Sequence, residues 1–276
     1  MFYISFKWRR RILNGLLLNY RIYELAYVII GFVNIYTKGS VKKVPACDIN
    51  TKRLNALVIS LPFRNDRRSD LRSREVFSSY LIINAIHGLK LNLNNIPNSI
   101  LSSLSKKYLS KGSIGCIFSH IKTWNIIVDK DWEFALVLED DSFLASSHTV
   151  FDKLLKEVPI DFDMVLLGSS NKYLFRKKVN VNKYFLEPIF PRNGLFAYII
   201  RKKAIGIILN NIFPIKITAG GIDTIIGKLT LEKKIKVYHT NFQVFKHNYS
   251  TPSNILNYSD SNKLLHFTEL SDAGAS

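Results

Sequence analysis

Cysteine is scarce in this 276-residue chain: there are only two, Cys47 and Cys116. Two thiols are too few for a secreted disulfide framework or a four-thiolate zinc site, which favours a reducing compartment. Glycine (13) and proline (8) are also few, which excludes collagen-like and low-complexity chains. Acidic residues are in short supply, 21 against 39 lysines and arginines, for a formal net charge of +18. No apolar run reaches the roughly 20 residues a spanning helix needs. Leu16–Leu18 is short, Leu25–Thr37 is 13 residues long, and Arg21 and Glu24 lie between them. What remains is a chain that is 47% hydrophobic, enough for a sizeable core in one domain.

The charge calls for a polyanionic partner: nucleic acid, an acidic membrane surface or a phosphorylated substrate. The basic residues are spread along the chain and no nucleic-acid-binding motif accompanies them, so no specific nucleic acid is expected. The first segment carries Lys7, Trp8 and Arg9–Arg11 ahead of its apolar runs, and no convincing signal-peptide cleavage site follows. That pattern suits helices lying on an anionic membrane surface, with packing against the body as the alternative. Lys38–Arg53, with Gly39, Ser40, Pro45, Asp48 and Asn50, reads as a linker. The expected division is therefore a basic, amphipathic helical extension and linker at 1–53 and a body at 54–276.

Within the body, Leu54–Leu61, Tyr80–Ile86, Trp132–Leu138, Asp163–Leu167, Tyr184–Phe190 and Leu195–Ile200 read as strands. Pro62–Ser69 is expected to be a basic loop, Asp70–Phe77 a helix, and Leu89–Ser105 irregular. Ser113 is the expected cap of a helix whose apolar face is Ile114, Ile117, Phe118, Ile121, Trp124 and Val128. Arg201–Ile212 is a further helix ending before Pro214. The alternation of strand and helix predicts an α/β layered fold. Ligands in such folds sit beyond the carboxyl ends of the strands, which puts the 62–68 loop and residues 139–141 on one rim.

Glu139-Asp140-Asp141 is the most informative chemistry. Three adjacent carboxylates after an apolar strand repel one another, and a divalent cation would relieve that. Strand alternation would turn Glu139 and Asp141 to one side and Asp140 to the other. Hard oxygen ligands suit Mn2+ or Mg2+ completed by substrate phosphates. Arg64, Arg67 and Arg68 form the complementary basic loop, since guanidinium forks match phosphate oxygens. Ser119-His120 lies on the Ser113 helix, where His120 is either a hydrogen-bonded structural residue or a contact to sugar or phosphate. Cys116 on that helix is most simply a small buried residue. Asp223 after Gly220-Gly221 is a helix cap or a general base. His239 and His247 are alternative candidates to complete a metal site.

These segments together resemble glycosyltransferase family 25, the group of bacterial lipooligosaccharide galactosyltransferases and collagen galactosyltransferase domains. Val58–Leu61 with Asp66-Arg67-Arg68 is similar to its opening strand and D-R-R loop. Gly112–His120 is similar to its G-E-[IV]-G-C-x-x-S-H helix start, and Leu136–Asp141 to its I-L-E-D-D strand. Gly194–Ile200 with Ala204 is similar to a later G-x-x-A-Y element, and Asp223 falls where the family often has an aspartate. The likeness covers roughly 54–255. Ser113 stands where an acid is usual, and Arg201 where a serine is common.

The resemblance implies a GT-A-like, Rossmann-like nucleotide-sugar-binding fold and an inverting transfer from a UDP-sugar, most simply UDP-galactose. It implies Mn2+ or Mg2+ on Glu139 and Asp141. Donor contacts are expected from Arg64, Arg67, Arg68, Ser119, His120 and Asp140, with Asp223 as the base. The implied partners are a lipid-linked oligosaccharide acceptor and an anionic membrane, at the inner face of a bacterial cytoplasmic membrane.

Overall fold

A computed structural model describes residues 43–50, 54–73, 80–168, 178–188, 195–217 and 221–248. The expected surface helices of the first 37 residues lie outside this set, as do Gly194 and Gly220. The strands are β1 (Ala46–Cys47), β2 (Asn55–Ser60), β3 (Leu81–Asn84), β4 (Phe134–Glu139), β5 (Ser142–Leu144) and β6 (Val158–Pro159). They continue as β7 (Met164–Leu166), β8 (Lys178–Asn180), β9 (Phe185–Pro188), β10 (Ala197–Arg201), β11 (Val237–Thr240) and β12 (Phe245–His247). The α-helices are α1 (Asn65–Ser73), α2 (Ser103–Tyr108), α3 (Lys111–Asp129), α4 (His148–Leu155), α5 (Lys202–Ile212) and α6 (Ile222–Leu231).

A mixed eight-stranded sheet runs in the order β3-β2-β4-β10-β7-β11-β9-β8. β3, β2 and β4 are mutually parallel, β7 and β11 are parallel, and β10 and β9 run against their neighbours. Both faces are covered, so the strands are apolar nearly throughout rather than alternating with polar residues. Their side chains still sort by parity. Leu57, Ile59, Ala135, Val137, Tyr198 and Ile200 join α3, α5 and α6 in one core layer. Val58, Leu136, Leu138, Val165, Ala197 and Ile199 join α4, Phe162 and Phe245 in the other. The architecture is thus α/β and layered, as the strand–helix alternation predicts.

The helix α3 runs the full length of one layer. Ile114, Ile117, Ile121, Trp124 and Ile127 are its buried stripe, while Val128 faces solvent. Its cap is Ser110, whose hydroxyl accepts from the Ser113 amide at 3.1 Å, so Ser113 is the third residue of the helix and not its cap. Gly115 is required by a close approach. A Cβ there would come within 2.6 Å of the Ile86 carbonyl and the Gly88 amide. The loop after β3 is therefore seated directly on α3.

Three local expectations are corrected. Arg67 and Arg68 lie on α1, which begins at Asn65 rather than Asp70; its nine residues are so polar that no apolar period marks it. The 89–105 stretch holds two short 3-10 turns, at 88–90 and 93–95, and the start of α2. The body also begins before Leu54. β1 pairs with β6, the Ile49 amide bonds to the Leu155 carbonyl at 3.2 Å, and Ile49 is buried in the α4 layer.

Candidate active site

The carboxyl ends of β2 and β4 are adjacent, with Ile59 opposite Glu139. The chain leaving β2 turns into α1, and the chain leaving β4 makes the Glu139–Ser142 turn, closed by Ser142 Oγ donating to the Glu139 carbonyl at 2.7 Å. This brings the basic and acidic segments together on one rim. Arg67 Nη1 donates to Asp140 Oδ1 at 2.6 Å and to Asp141 Oδ2 at 2.8 Å, with all three side chains buried. The expected segregation by alternation therefore holds only in part. Glu139 and Asp141 converge, but the strand ends at Glu139, and the turn lets Asp140 share Arg67 with Asp141.

The other two arginines are also committed within the chain. Arg64 forms a fork with Asp66, whose carboxyl the guanidinium holds down to about 2. Arg68 donates to Ser60 Oγ, the Ser60 carbonyl and Asn84 Oδ1, tying α1 to the ends of β2 and β3. Their expected place at donor phosphates is thus occupied by intrachain acceptors.

On the α3 side Glu139 meets a hydrogen-bonded relay, where Cys116, His120 and Glu139 also bring one ligand atom each within 4.8 Å of one another. Trp124 Nε1, which can only donate, bonds to the Tyr198 hydroxyl at 2.9 Å. That hydroxyl in turn lies 2.9 Å from His120 Nδ1. Burial drives the His120 imidazole down to about 4, so it is neutral near pH 7. Tyr198, already accepting from Trp124, is placed to donate to Nδ1, the arrangement that leaves the ring proton on Nε2, and Nε2 lies 3.3 Å from Glu139 Oε1. The His120–Glu139 contact is a hydrogen bond, not an ion pair. Cys116 Sγ stands 4.0 Å from the same oxygen. Burial and the nearby carboxylates push its thiol well up, so it is not a thiolate. Ser119 is buried as well, donating to the Gly115 carbonyl at 2.7 Å and accepting from the Ile86 amide at 2.8 Å. Ser119 and His120 therefore serve the fold around the site from beneath its surface.

On the opposite side lies His247. The β5–β12 ribbon sets His247 across from Ser142, and His247 Nε2 is 3.1 Å from Asp141 Oδ2. Gly168 allows the ribbon this approach, since a Cβ there would be 2.3 Å from the Phe245 carbonyl. One ligand atom each from Glu139, Asp141 and His247 fall within 4.8 Å of one another. His239, the other candidate, turns its Nδ1 to the Thr240 carbonyl at 2.8 Å on β11. The choice between the two histidines comes from the pairing of β12 with β5, which nothing local in the sequence encodes.

The electrostatics follow from burial against neighbours. Burial first, then Asp141 and Asp223, push the Glu139 carboxyl well up. Burial also raises Asp140, opposed by Arg67. For Asp141 burial is the largest influence and acts upward, but His247 and Arg67 together outweigh it and hold the carboxyl down. The Asp141 carboxylate raises His247 against the effect of burial. Asp141 Oδ1 is buried with no hydrogen-bond partner among the described residues. A buried carboxylate oxygen left unpaired beside a second carboxylate and an imidazole that contacts its other oxygen is what a cation site leaves for the ion. Mixed oxygen and nitrogen donors suit Mn2+ better than Mg2+. Asp223 lies in the first turn of α6 and accepts from the Leu195 amide at 3.1 Å, near enough for its charge to act on Glu139 and His120.

The profile of "Glycosyltransferase family 25 (LPS biosynthesis protein)" matches residues 53–219. Procollagen galactosyltransferase 1 of Danio rerio is 32% identical over 132 residues, 42% of this chain and 22% of that protein. Inactive glycosyltransferase 25 family member 3 of Homo sapiens is 31% identical over 139 residues, 46% of this chain and 22% of that protein. The matched part thus spans little more than a fifth of these relatives. A solved structure, A197 from STIV, aligns with 73% of this chain and 87% of its own at 13% identity and a TM-score of 0.38, too distant to specify a fold. Among the described residues no helix is long and apolar enough to cross a membrane.

Proposed function

The chain belongs to glycosyltransferase family 25, and from that membership we propose that it is an inverting, metal-dependent hexosyltransferase. It would move a sugar, galactose first, from a UDP-sugar to a saccharide acceptor of lipooligosaccharide, lipopolysaccharide or a related surface glycan. The observation that carries this reading is the convergence of Glu139, Asp141 and His247, with Asp141 Oδ1 buried and unpartnered among the described residues. The frame is GT-A-like, with the nucleotide-sugar at the carboxyl ends of β2 and β4.

In this reading Glu139, Asp141 and His247 hold Mn2+. When bound, the ion supplies positive charge for the donor diphosphate and its leaving group. Arg67 fixes Asp140 and Asp141 in the turn and offsets their repulsion. The Trp124–Tyr198–His120 relay holds the Glu139 carboxylate from beneath. Asp223, on the rim at the start of α6, accepts the proton of the acceptor hydroxyl as that oxygen attacks the anomeric carbon from the face opposite the leaving group. Arg64, less buried than Arg67, would reach the donor through exchange of its exposed Asp66 partner. The first 37 residues would hold the enzyme on the anionic inner face of a bacterial cytoplasmic membrane, beside a lipid-linked acceptor.

A second reading has its own support: the chain is as similar to an inactive family member as to a galactosyltransferase. One assay separates the two. Nucleoside diphosphate release is measured from a panel of UDP-sugars, with Mn2+ and with chelator, for wild type and Asp141→Ala. The transferase reading expects metal-dependent hydrolysis of one donor, reduced at least about 100-fold in the variant, at or beyond the loss seen when outer-shell partners of metal ligands are removed. Wild type that neither binds nor hydrolyses any UDP-sugar would favour the inactive reading.

A further inference from the structure

From Val76 to Val128 the sequence has no aspartate or glutamate but five lysines, Lys90, Lys106, Lys107, Lys111 and Lys122. The same stretch exposes large apolar side chains. Leu89 is 46% exposed, Ile100 38% and Leu104 42%, and Phe213, at 43%, joins them. The fold makes these neighbours. Ile215 N bonds to the Ile100 carbonyl at 2.8 Å and Ser102 N to the Ile215 carbonyl at 3.1 Å, a parallel pairing that sets Ile215 opposite Leu101 and puts Phe213, two residues earlier, on the Ile100 side of that contact. Leu104 is on the outer face of α2. The turn carrying Leu89 and Lys90 abuts the start of α3, where Lys111 Nζ bonds to the Leu91 carbonyl at 2.9 Å. Lys90, Lys107 and Lys216 are exposed among these apolar groups.

We propose that this patch docks the body on an anionic lipid surface, a contact made by the folded domain and separate from the N-terminal segment. Apolar tips at the acyl boundary with lysine heads at phosphate level are the arrangement such a surface binds. An acid-free stretch avoids repulsion from anionic headgroups. A protein partner matched to it would need a compensating acidic face, whereas anionic lipid supplies that charge at any register. The position also fits. Ser105 Oγ donates to the Ile215 carbonyl at 2.8 Å and accepts from Ile217 N at 3.0 Å, tying α2 to the segment that leads into α6 and Asp223. The proposal rests on the reading above only for its purpose, to bring a lipid-linked saccharide within reach.

The test is sedimentation of the full chain with phosphatidylglycerol/phosphatidylcholine vesicles. Wild type is compared with Leu104→Asp/Phe213→Asp and with the control Ile160→Asp, which is 47% exposed in the opposite layer beside β6. Partition of the double variant is expected to fall about tenfold, with the control and the melting temperatures unchanged. Unchanged partition, or an equal loss in the control, would overturn the proposal. So would a lowered melting temperature of the double variant without vesicles, which would show that another part of the chain covers the patch. Loss of a wild-type dimer in sedimentation velocity without loss of lipid binding would overturn it in favour of a self-interface. Donor hydrolysis without vesicles, run in parallel, reports on the catalytic reading alone.

Discussion

Glu139 has two neighbourhoods that differ in how fully their polar atoms are used. Toward α3, each group has a complementary partner: Trp124 donates to Tyr198, the Tyr198 hydroxyl meets His120 Nδ1, and His120 Nε2 meets Glu139. Toward the β5–β12 ribbon, two buried carboxylates and a raised imidazole crowd one guanidinium, and Asp141 Oδ1 is unpartnered. The first arrangement is complete without a ligand, and its product is a fixed Glu139 orientation. The second gathers Asp140, Asp141 and Glu139 about Arg67 and His247 and leaves one buried carboxylate oxygen unpaired among the described residues. Polar groups that satisfy one another build a scaffold, and a shortfall marks where a ligand belongs.

The sharpest way to break this comparison is at Arg67. Replacing it with glutamine leaves Asp140 and Asp141 buried without their cation, and stability should drop by about 3–5 kcal/mol. Urea denaturation without metal checks this. A loss below about 1 kcal/mol would mean the acids do not depend on Arg67, and the imbalance on that side would be smaller than argued.

The scaffold side is tested by Tyr198→Phe. It orphans the Trp124 N–H and His120 Nδ1, at about 1–3 kcal/mol for each buried group. The imidazole then loses the partner that fixes its tautomer. The expected signature is a clear drop in the urea midpoint, with smaller effects on metal affinity than any ligand substitution. If metal affinity collapses while stability holds, the relay belongs to the site and not to its support.

The smallest effect is expected far from both sides. Asp161 accepts from Lys236 and from the Tyr238 hydroxyl. Burial acts upward on its carboxyl, but Lys236 and Tyr238 together hold it below the ordinary range. A lowered folded pKa gives stability that is full above the unfolded value, near 4, and is lost as pH falls through the folded one. Solvent screening keeps this exposed pair under about 1 kcal/mol. Asp161→Asn should therefore lower stability slightly at pH 7, by an amount that shrinks as pH falls below about 4, as thermal melts across an acid series would record.

The division between legible and illegible features runs along the same lines. β2, β4 and β10 announce themselves as apolar runs because both faces of the sheet are covered. The Glu139–Asp141 cluster is visible because charge directly after such a run has no structural reason to be there. α1 escapes notice because its sequence, with Leu71 as its one apolar residue, carries no apolar stripe. The cap of α3 is ambiguous between Ser110 and Ser113, since two serines three apart can each cap, and the backbone decides. His247 could not be chosen over His239, because strand pairing more than 100 residues away in sequence brings it to Asp141. Tyr198 and Trp124 left a weaker trace, a hydroxyl in an aliphatic strand and an indole in a buried stripe, each needing a partner.

The central claim is that the ribbon side of Glu139 is a metal site and the α3 side is not. Titration of free Mn2+ by electron paramagnetic resonance, without donor, measures this directly in wild type, His247→Gln and Tyr198→Phe. The account predicts one bound ion in wild type, affinity weakened at least about tenfold in His247→Gln, and affinity in Tyr198→Phe within a few-fold of wild type. Equal binding by wild type and His247→Gln, or loss confined to Tyr198→Phe, would contradict it.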